Sequence, residues 1–383
     1  MSNRPLRVLH VINAMNRGGI ETWLMNILRN ADPGQFTMDF LVQTAAPCDY
    51  GDEIRAHGSR LIPCLYPANP LRYAQNFKVA LKTYGPYDIV HSHAYWFSGY
   101  VLHLAKSLGI PGRIAHIYPV EDLKNLGMKR RIYQKLMGYG IRGRATGILA
   151  DSQAAMDAFM KLCDCRHLSH EVIYPVVDLS AFRRQVDRAK IRRKYDLPLN
   201  IPIVLYVARF EPHKNHQGFL EIARLVNQSR KVAHFVMVGS QGRLMESLKA
   251  LVAGREDVTM LINPPDVSEI MLAGDLFLFP SLHEGFGIVS IEAQASGLPV
   301  VASRLPSIVE TLAPPLRSLT FASDETGLPV AADTIHTILT DDVYRAELSH
   351  TAREWVTHTF DIKTNVAQLW RFYQTGMQKV FSG

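Results

Sequence analysis

The stretch SLHEGFGIVSIEAQASGLPVVAS, residues 281–303, contains a turn, a helix and a strand in direct succession. Gly285 and Gly287 mark the turn, because glycine adopts backbone conformations that other residues avoid. The apolar spacing of residues 288–296 predicts a helix, and the β-branched run in residues 299–303 predicts a buried strand. This order of elements is typical of a parallel sheet covered by helices.

The same alternation of short apolar runs and helical spacing continues along the whole chain. Runs that predict further buried strands are LRVLHVI, DFLVQ, RLIPC, DIVHSHA, RIAHIY and GILADS in the first half, and IVLYVARF, HFVMVG, VTMLI and DLFLFP in the second. We therefore predict an α/β protein with two doubly wound domains, residues 1–178 and 201–362, joined by a charged connector at residues 179–200. The tail, residues 363–383, has helical spacing and is a candidate to complete the first domain.

The composition is that of a globular protein. Of the 383 residues, 47% are hydrophobic and 20% are charged, and the opening apolar run is too short to cross a bilayer. We therefore expect a cytoplasmic protein. The segment CDCRHLSH gathers Cys163, Cys165, His167 and His170, but their spacings differ from those of structural zinc sites, so we predict no metal.

The net charge of +7 includes a dense basic stretch at residues 124–144. Lysine and arginine alternate there with leucine, methionine, isoleucine and tyrosine, a mixture that suits an amphipathic helix on an anionic membrane surface. A solvated helix face above an ordinary core stripe explains the same pattern. A nucleic-acid partner is not expected, because no helix-turn-helix, zinc-finger or RNA-binding signature accompanies the basic residues.

Two such domains place the carboxyl ends of two parallel sheets across an interdomain cleft, where open sheets bind their ligands. After the first strand, Gly18 and Gly19 leave the backbone N–H groups of the next helix accessible to a phosphate or a bulky acceptor. This turn matches neither the dinucleotide nor the P-loop fingerprint. In the second half, Arg209 and Lys214 place two cations between a strand and a helix, which suits a diphosphate.

The opening stretch adds two carboxylates to the candidate site of the second half. Glu284 precedes the glycine turn and Glu292 lies in the helix beyond it. The backbone N–H groups around Phe286 and Ile288, near the helix start, are suited to bind an anion. Carboxylates accept hydrogen bonds from sugar and ribose hydroxyls, so the combination predicts a nucleotide sugar. Alternatively, one of the two carboxylates caps the backbone amides near the helix start, and the other is a solvated residue of the helix.

These residues resemble those of the retaining glycosyltransferases of family 4. The likeness rests on Glu284-x7-Glu292 with its Gly-Phe-Gly turn, on Arg209 and Lys214, and on first-half phrases such as GGIETWLMNILRN and GPYDIVHSH, and it spans nearly the whole chain. The first-half phrases look most like those of bacterial capsule and exopolysaccharide transferases. The resemblance implies the GT-B fold, in which two Rossmann-like domains face one another across a cleft.

The resemblance also implies an activity and residue roles. A sugar would pass from a nucleotide-diphosphate sugar to a hydroxyl of a glycan or lipid-linked acceptor, with no metal or other cofactor. Arg209 and Lys214 would bind the diphosphate and neutralise it as it leaves. Glu292 would hold the ribose and Glu284 the transferred sugar, with help from the neighbouring amides. His116, at the end of RIAH, would contact the donor sugar near its reacting carbon.

Two other functions share the same donor site. A nucleotide-sugar epimerase with the GT-B fold needs no acceptor, and a non-catalytic partner would bind the nucleotide sugar without reaction. Product analysis with and without acceptor distinguishes the epimerase from a transferase, and the presence of Arg209, Lys214, Glu284 and Glu292 argues against the non-catalytic partner. His91 and His93, in HSH, are candidates for the acceptor side of the site.

Overall fold

The chain forms two compact units, each built on one parallel sheet. Unit 1 comprises Met1–Val176 and Ile362–Gly383, and unit 2 comprises Val177–Asp361. The structure is a computed structural model, and it describes residues 4–118, 127–176, 178–240 and 242–382.

Unit 1 contains a seven-stranded sheet. Its strands are β1 (Leu6–Ile12), β2 (Phe36–Val42), β3 (Leu61–Pro63), β4 (Ile89–Ser92), β5 (Gly112–Ile117), β6 (Gly147–Ala150) and β7 (Ser169–Val172). They lie in the order β3-β2-β1-β4-β5-β6-β7, and all neighbouring pairs are parallel. The chain reverses its direction of winding between β1 and β4, and this pair is the switch point of unit 1.

Unit 2 contains a six-stranded parallel sheet. Its strands are β8 (Ile203–Val207), β9 (His234–Gly239), β10 (Val258–Ile262), β11 (Leu276–Phe279), β12 (Val300–Ser303) and β13 (Thr320–Phe321). Their order is β10-β9-β8-β11-β12-β13, so β8 and β11 form the switch point of unit 2. The predicted α/β class with two doubly wound sheets is confirmed.

Helices connect the strands in both units. In chain order the α-helices are α1 (Gly19–Asn30), α2 (Gly51–Ala56), α3 (Pro70–Tyr84), α4 (Ser98–Ser107), α5 (Met128–Arg144), α6 (Gln153–Cys163), α7 (Arg188–Lys194), α8 (His216–Val226), α9 (Met245–Val252), α10 (Val267–Leu272), α11 (Ile288–Ala295), α12 (Pro306–Val309), α13 (Gly327–Thr340), α14 (Asp342–Thr359) and α15 (Ile362–Ser382). Among the described residues, no helix is both long enough and apolar enough to span a bilayer.

Burial explains which strands the sequence pattern reveals. Val8, Leu9 and Val11 of β1 are fully buried, because helices cover both faces of the sheet, and such strands are continuous apolar runs. The pattern did not reveal β7 and β13. Both are edge strands, and β7, with the sequence SHEV, has no fully buried residue.

The charged segment 179–200 belongs to unit 2 and does not form a separate connector. Helix α7 lies within it, and the buried guanidinium of Arg192 donates hydrogen bonds to Asp275 Oδ2 at 2.6 Å and to the carbonyl oxygen of Ala273. Arg188 donates to the other oxygen of Asp275. These contacts fix the segment beside the start of β11.

The C-terminal helix α15 is part of unit 1. Trp23 of α1 donates from Nε1 to Asn365 Oδ1 at 2.8 Å, and Leu369 and Tyr373 are fully buried. The end of the chain therefore supplies core residues to the unit that the beginning of the chain starts.

Candidate active site

Two loops at the switch point of unit 2 are tied together. The loop after β8 and the loop after β11 share a backbone hydrogen bond, from the N–H of Leu282 to the carbonyl oxygen of His213 at 2.9 Å. Asn215 adds a second connection, from Nδ2 to the carbonyl oxygen of Pro280 at 3.1 Å. Asn215 has a left-handed backbone with φ of 54°, and its Oδ1 accepts from the N–H of Gly218 to begin α8. The helix start therefore fixes both loops.

Lys214 and Glu284 form an ion pair between these loops. Lys214 Nζ donates to Glu284 Oε2 at 2.5 Å, and the two side chains are only 15% and 14% exposed. Both line a cavity of about 560 Å³. Arg209, which is exposed, lines the same cavity. The structure thus brings together the two predicted cations and one of the two predicted acids.

The glycine turn forms another wall of this cavity. Residues 285–288 all line it, and Gly287 begins α11 with φ of 73°, a conformation that glycine adopts without strain. A Cβ atom on Gly287 would lie 3.2 Å from the ring of Phe279, whereas one on Gly285 would meet nothing within 4 Å. Gly285 therefore leaves the backbone open toward the cavity, and anion binding at this turn stays a prediction.

Glu292 lies in α11, one helical turn after Ile288. Its carboxylate is largely buried, and burial raises its pKa to about 7. Within the described residues, the carboxylate of Glu292 makes no hydrogen bond, and Glu292 does not line the 560 Å³ cavity. A buried carboxylate with a raised pKa and no partner is suited to accept hydrogen bonds from a ligand.

Four buried histidines occupy the switch point of unit 1. His10 of β1 and His91 of β4 are register partners, His93 follows β4, and His116 lies near the carboxyl end of β5. None of them is more than 2% exposed. Their rings lie close together, with centroids 4.3 Å apart for His91 and His93 and 5.2 Å apart for His91 and His116.

One hydrogen-bonded chain in this cluster ends at His116. The hydroxyl of Tyr373 lies 2.8 Å from His91 Nδ1, and His91 Nε2 lies 3.2 Å from His116 Nδ1. His116 Nε2 is buried without a hydrogen-bond partner among the described residues. Burial lowers the pKa of His116 to about 3 and that of His91 well below its usual value, so both are neutral at pH 7.

A second chain in the cluster ends at His10. The hydroxyl of Tyr118 lies 2.6 Å from His93 Nδ1, and His93 Nε2 lies 3.0 Å from His10 Nδ1. Within the described part of the chain, His10 Nε2 is also buried and unpartnered. His10, His91 and His93 have nitrogen atoms within 4.8 Å of one another, a spacing that could hold a metal ion. In this structure, however, His10 Nδ1 and His93 Nε2 contact each other.

The predicted glycine pair of unit 1 lies at the start of α1. Gly18 caps the helix, Gly19 is its first residue, and both are exposed. A Cβ atom on Gly19 would meet nothing within 4 Å. From the same helix, Trp23 packs edge-on against His116 with ring centroids 5.1 Å apart. The carboxylate of Glu21 lies beside Gly18, where a Cβ atom would be 2.4 Å from Glu21 Oε2, and contact of this turn with a ligand stays a prediction.

The sequence interpretation missed His10, Trp23, Tyr118 and Tyr373 as parts of this cluster. His10 was assigned only to a buried strand, although a histidine within LRVLHVI is an unusual polar residue in an apolar run. Tyr373 could not be found from spacing, because helical periodicity does not tell which sheet a helix covers.

Comparison with known proteins agrees with this architecture. The family described as Glycosyltransferase Family 4 matches residues 17–181, and that described as Glycosyl transferases group 1 matches residues 187–355. EpsF of Bacillus subtilis (strain 168), whose name describes it as a glycosyltransferase, is 30% identical, and the match covers 99% of each chain. A D-inositol 3-phosphate glycosyltransferase of Corynebacterium glutamicum (strain R) is 28% identical over 75% of this chain and 72% of its own.

Solved structures show the same fold. HepE of Anabaena, in complex with UDP, has a TM-score of 0.77 and 18% identity, with 97% of this chain and 100% of that chain covered. WaaG, a glycosyltransferase involved in lipopolysaccharide biosynthesis, has a TM-score of 0.64 and 18% identity, with 98% of this chain and 100% of that chain covered. The two Rossmann-like units are those of the GT-B glycosyltransferases. The chain belongs to glycosyltransferase family 4 and is a glycosyltransferase.

Proposed function

We propose that the enzyme transfers a hexose from a uridine diphosphate sugar to a hydroxyl group of a glycan or a lipid-linked acceptor, in polysaccharide or glycolipid synthesis. The Lys214–Glu284 ion pair on the wall of an open cavity, beside Arg209, is the observation that carries this proposal. HepE has been solved with UDP and with UDP-glucose, and WaaG acts in lipopolysaccharide biosynthesis, which supports the choice of donor and of pathway class.

The ion pair explains how the site keeps its charges in place. Glu284 neutralises Lys214 in a partly buried position. An ammonium group has three donors, so Lys214 can bind a phosphate oxygen while it still holds Glu284. Glu284 retains acceptor capacity for a hydroxyl of the transferred sugar. Arg209 and the N-terminus of α11 provide further stabilisation for the diphosphate.

The charges that develop in the reaction suit these groups. When the bond from the sugar carbon to the phosphate oxygen breaks, its electron pair stays on the diphosphate, next to Lys214 and Arg209. The acceptor oxygen bonds to the same face of the sugar carbon, and its proton moves to an oxygen of the leaving diphosphate. Fixed cations lower the barrier because they stabilise the negative charge where it grows. We assign the ribose to Glu292 and a contact with the sugar to His116.

Titration calorimetry with UDP, GDP and ADP, followed by a transfer assay with and without EDTA, tests this function. We expect UDP to bind most tightly and transfer to survive EDTA, because the protein cations perform the task of a metal ion. In the same transfer assay Lys214→Ala should lose activity, and Lys249→Ala is its matched control, since Lys249 is an exposed lysine of the same unit that pairs with Glu246. Tighter binding of GDP would overturn the choice of donor, and activity that requires Mn²⁺ or Mg²⁺ would overturn the metal-free mechanism.

We further propose that helix α5 docks on an anionic membrane. The basic stretch predicted at residues 124–144 lies in this helix from Met128 onward, and residues 124–126 lie outside the described residues. One face of α5 carries exposed apolar side chains at helical spacing, namely Met128 (79% exposed), Ile132 (53%), Leu136 (59%) and Tyr139 (68%). These residues project away from the face that is buried.

The buried face of α5 explains this inverted pattern. It carries Gln134, Gly138 and Ile141, and Gly140 lies so close to Gly99 of α4 that a Cβ atom would be 3.1 Å from the Gly99 Cα. Two glycines therefore lie on the buried face, and most of the large apolar side chains face outward. The helix has six basic residues and no acidic residue, so an anionic lipid surface is its complementary partner.

Flotation with vesicles of phosphatidylcholine, with and without phosphatidylglycerol, tests this surface. We expect salt-sensitive binding to the anionic vesicles alone, and we expect Ile132→Ser with Leu136→Ser to abolish it. Lys129→Glu with Lys135→Glu should weaken binding by roughly thirtyfold or more, because each basic residue near such a surface contributes about 1 kcal/mol. Leu71→Ser with Val79→Ser is the control, because both residues are exposed apolar positions on α3. The proposal fails if the control pair weakens binding as much, or if neutral vesicles bind equally.

A further inference from the structure

The buried hydroxyl of Tyr373 gives the hydrogen-bonded chain in unit 1 a direction. Tyr373 is fully buried, and burial raises its pKa well above the usual value, so the phenol keeps its proton. Among the described residues, the group that this hydroxyl contacts is His91 Nδ1, at 2.8 Å. A buried O–H group without an acceptor costs about 1–3 kcal/mol. The phenol therefore donates to His91 Nδ1.

This direction fixes the tautomer of both histidines in the chain. A neutral imidazole has one N–H group, and because His91 Nδ1 accepts, the proton of His91 is on Nε2. His91 Nε2 then donates to His116 Nδ1, 3.2 Å away. By the same rule, His116 carries its own proton on Nε2, the atom that has no partner among the described residues.

We propose that Tyr373 and His91 are positioning residues that hold His116 as an Nε2–H donor for an oxygen of the transferred sugar. The proposal rests on the proposed contact of His116 with that sugar. His116 then serves as a hydrogen-bond donor and not as a base, because its only lone pair, on Nδ1, already accepts from His91. A ligand oxygen satisfies an N–H group that is otherwise buried and unpaired.

The same reasoning argues against a metal ion in this cluster. If Tyr118 donates to His93 Nδ1, then His93 Nε2 carries a proton and donates to His10 Nδ1, 3.0 Å away. Both His91 Nε2 and His93 Nε2 are then donors and cannot ligate a metal.

Long-range proton–nitrogen NMR correlation on protein labelled with ¹⁵N-histidine measures the tautomer directly. We expect His116, assigned with a His116→Gln variant, to show a protonated Nε2 and an unprotonated Nδ1. His91→Gln should keep this tautomer of His116, because the glutamine amide can also donate to His116 Nδ1. His91→Leu and Tyr373→Phe should not keep it. A protonated Nδ1 in the wild-type protein overturns the proposal, as does a stoichiometric metal whose removal shifts these histidine signals.

Kinetics of the same variants test the link to the reaction. We expect His91→Leu to lower kcat/KM for the nucleotide sugar by about tenfold, the scale of one hydrogen bond to a sugar hydroxyl. His91→Gln should restore most of this loss, and the affinity for free UDP should stay unchanged in both variants. Equal losses in the glutamine and leucine variants overturn the proposal.

Tyr87→Phe is the matched control for Tyr373→Phe. It removes a buried hydroxyl of the same unit, one that donates to Asp39 at 2.8 Å, and we expect lower stability without lower kcat/KM. If it lowers kcat/KM as much as Tyr373→Phe does, the effect is structural and the positioning role is wrong. If no donor sugar is transferred at all, the proposed function fails, and the NMR result still decides the tautomer.

Discussion

The two switch points of this molecule have the same topology and opposite chemistry. At the β1–β4 switch point of unit 1, four uncharged imidazoles are buried among aromatic rings. At the β8–β11 switch point of unit 2, a lysine, an arginine and a glutamate line an open cavity of about 560 Å³. A doubly wound sheet determines where a ligand site lies, whereas the residues in the loops decide whether that place is charged or neutral.

The difference has a local cause in each unit. In unit 2, glycines line the turn after β11, so backbone and charged side chains border free space. In unit 1, Trp23 from α1 and Tyr373 from α15 cover the histidines. Neutral groups tolerate this burial and charged groups do not. Unit 1 is therefore suited to donate hydrogen bonds, and unit 2 to stabilise charge.

Low pH should produce the largest difference in stability between the two switch points. Burial lowers the pKa of each cluster histidine, so the unfolded chain binds protons first. The stability that is present above pH 6.5 is therefore lost as the pH falls, down to about pH 3 for His10 and His116. At pH 5.5 each histidine should cost about 1.4 kcal/mol of stability, or about 6 kcal/mol for four. Hydrogen exchange of the β1, β4 and β5 peptides should accelerate far more than that of β8 and β11.

The matched region in unit 2 provides the control for this experiment. Burial also lowers the pKa of His216 and His234 there, so unit 2 should lose some stability in acid, but less than unit 1 with its four buried histidines. Equal acceleration of exchange in both sheets, after correction for the intrinsic pH dependence, would mean that the cluster is not the acid-sensitive element.

Loss of one charge from unit 2 should have the next largest effect. Lys214→Ala should reduce turnover by roughly 10²–10³, the scale for one preorganised charge stabiliser. The variant also leaves Glu284 without its partner, so its fold must be checked by circular dichroism and thermal melting. Steady-state turnover of a folded variant within threefold of wild type would remove Lys214 from the mechanism.

Substitutions of Glu284 and of Glu292 should affect the affinity for UDP differently. Glu292→Gln should weaken UDP by about tenfold, because hydrogen bonds to a charged acceptor are lost, whereas Glu284→Gln should leave UDP affinity nearly unchanged. The pKa of Glu292 is about 7, so wild-type affinity should also fall as the pH drops below 7 and this carboxylate is protonated. Calorimetry at pH 6 and pH 8 measures both effects, and similar losses for the two variants would show that their roles are assigned wrongly.

The smallest expected effect comes from the residue that ties the two loops of unit 2. Asn215→Gly keeps the left-handed backbone but removes the cap of α8 and the bond to Pro280, so we expect a loss of about 1 kcal/mol in stability and less than fivefold in UDP affinity. Ser152→Gly removes the corresponding cap of α6 in unit 1 and should leave UDP affinity unchanged. If both variants weaken UDP equally, the tie does not shape the cavity.

The charged residues at the switch point of unit 2 could be predicted from the sequence, whereas the histidine cluster at the switch point of unit 1 could not. Arg209, Lys214 and Glu284 lie in loops directly after apolar strands, and the order of a parallel sheet brings such loops together. The Lys214–Glu284 contact itself was not predicted, since each side chain was assigned to a different part of the ligand. The histidine cluster depends on contacts such as that between His91 and Tyr373, which are 282 positions apart. No short-range pattern encodes such a contact.

The position of α15 determines the order in which the protein can be finished during synthesis. Unit 2 is one continuous segment, so all of its residues have been made once the ribosome passes Asp361. Unit 1 begins first, yet it waits for Leu369, Phe372 and Tyr373, which fill its core from the last helix. The first unit to be translated is thus the last to be completed, and a chain released early lacks the phenol that orients its histidines.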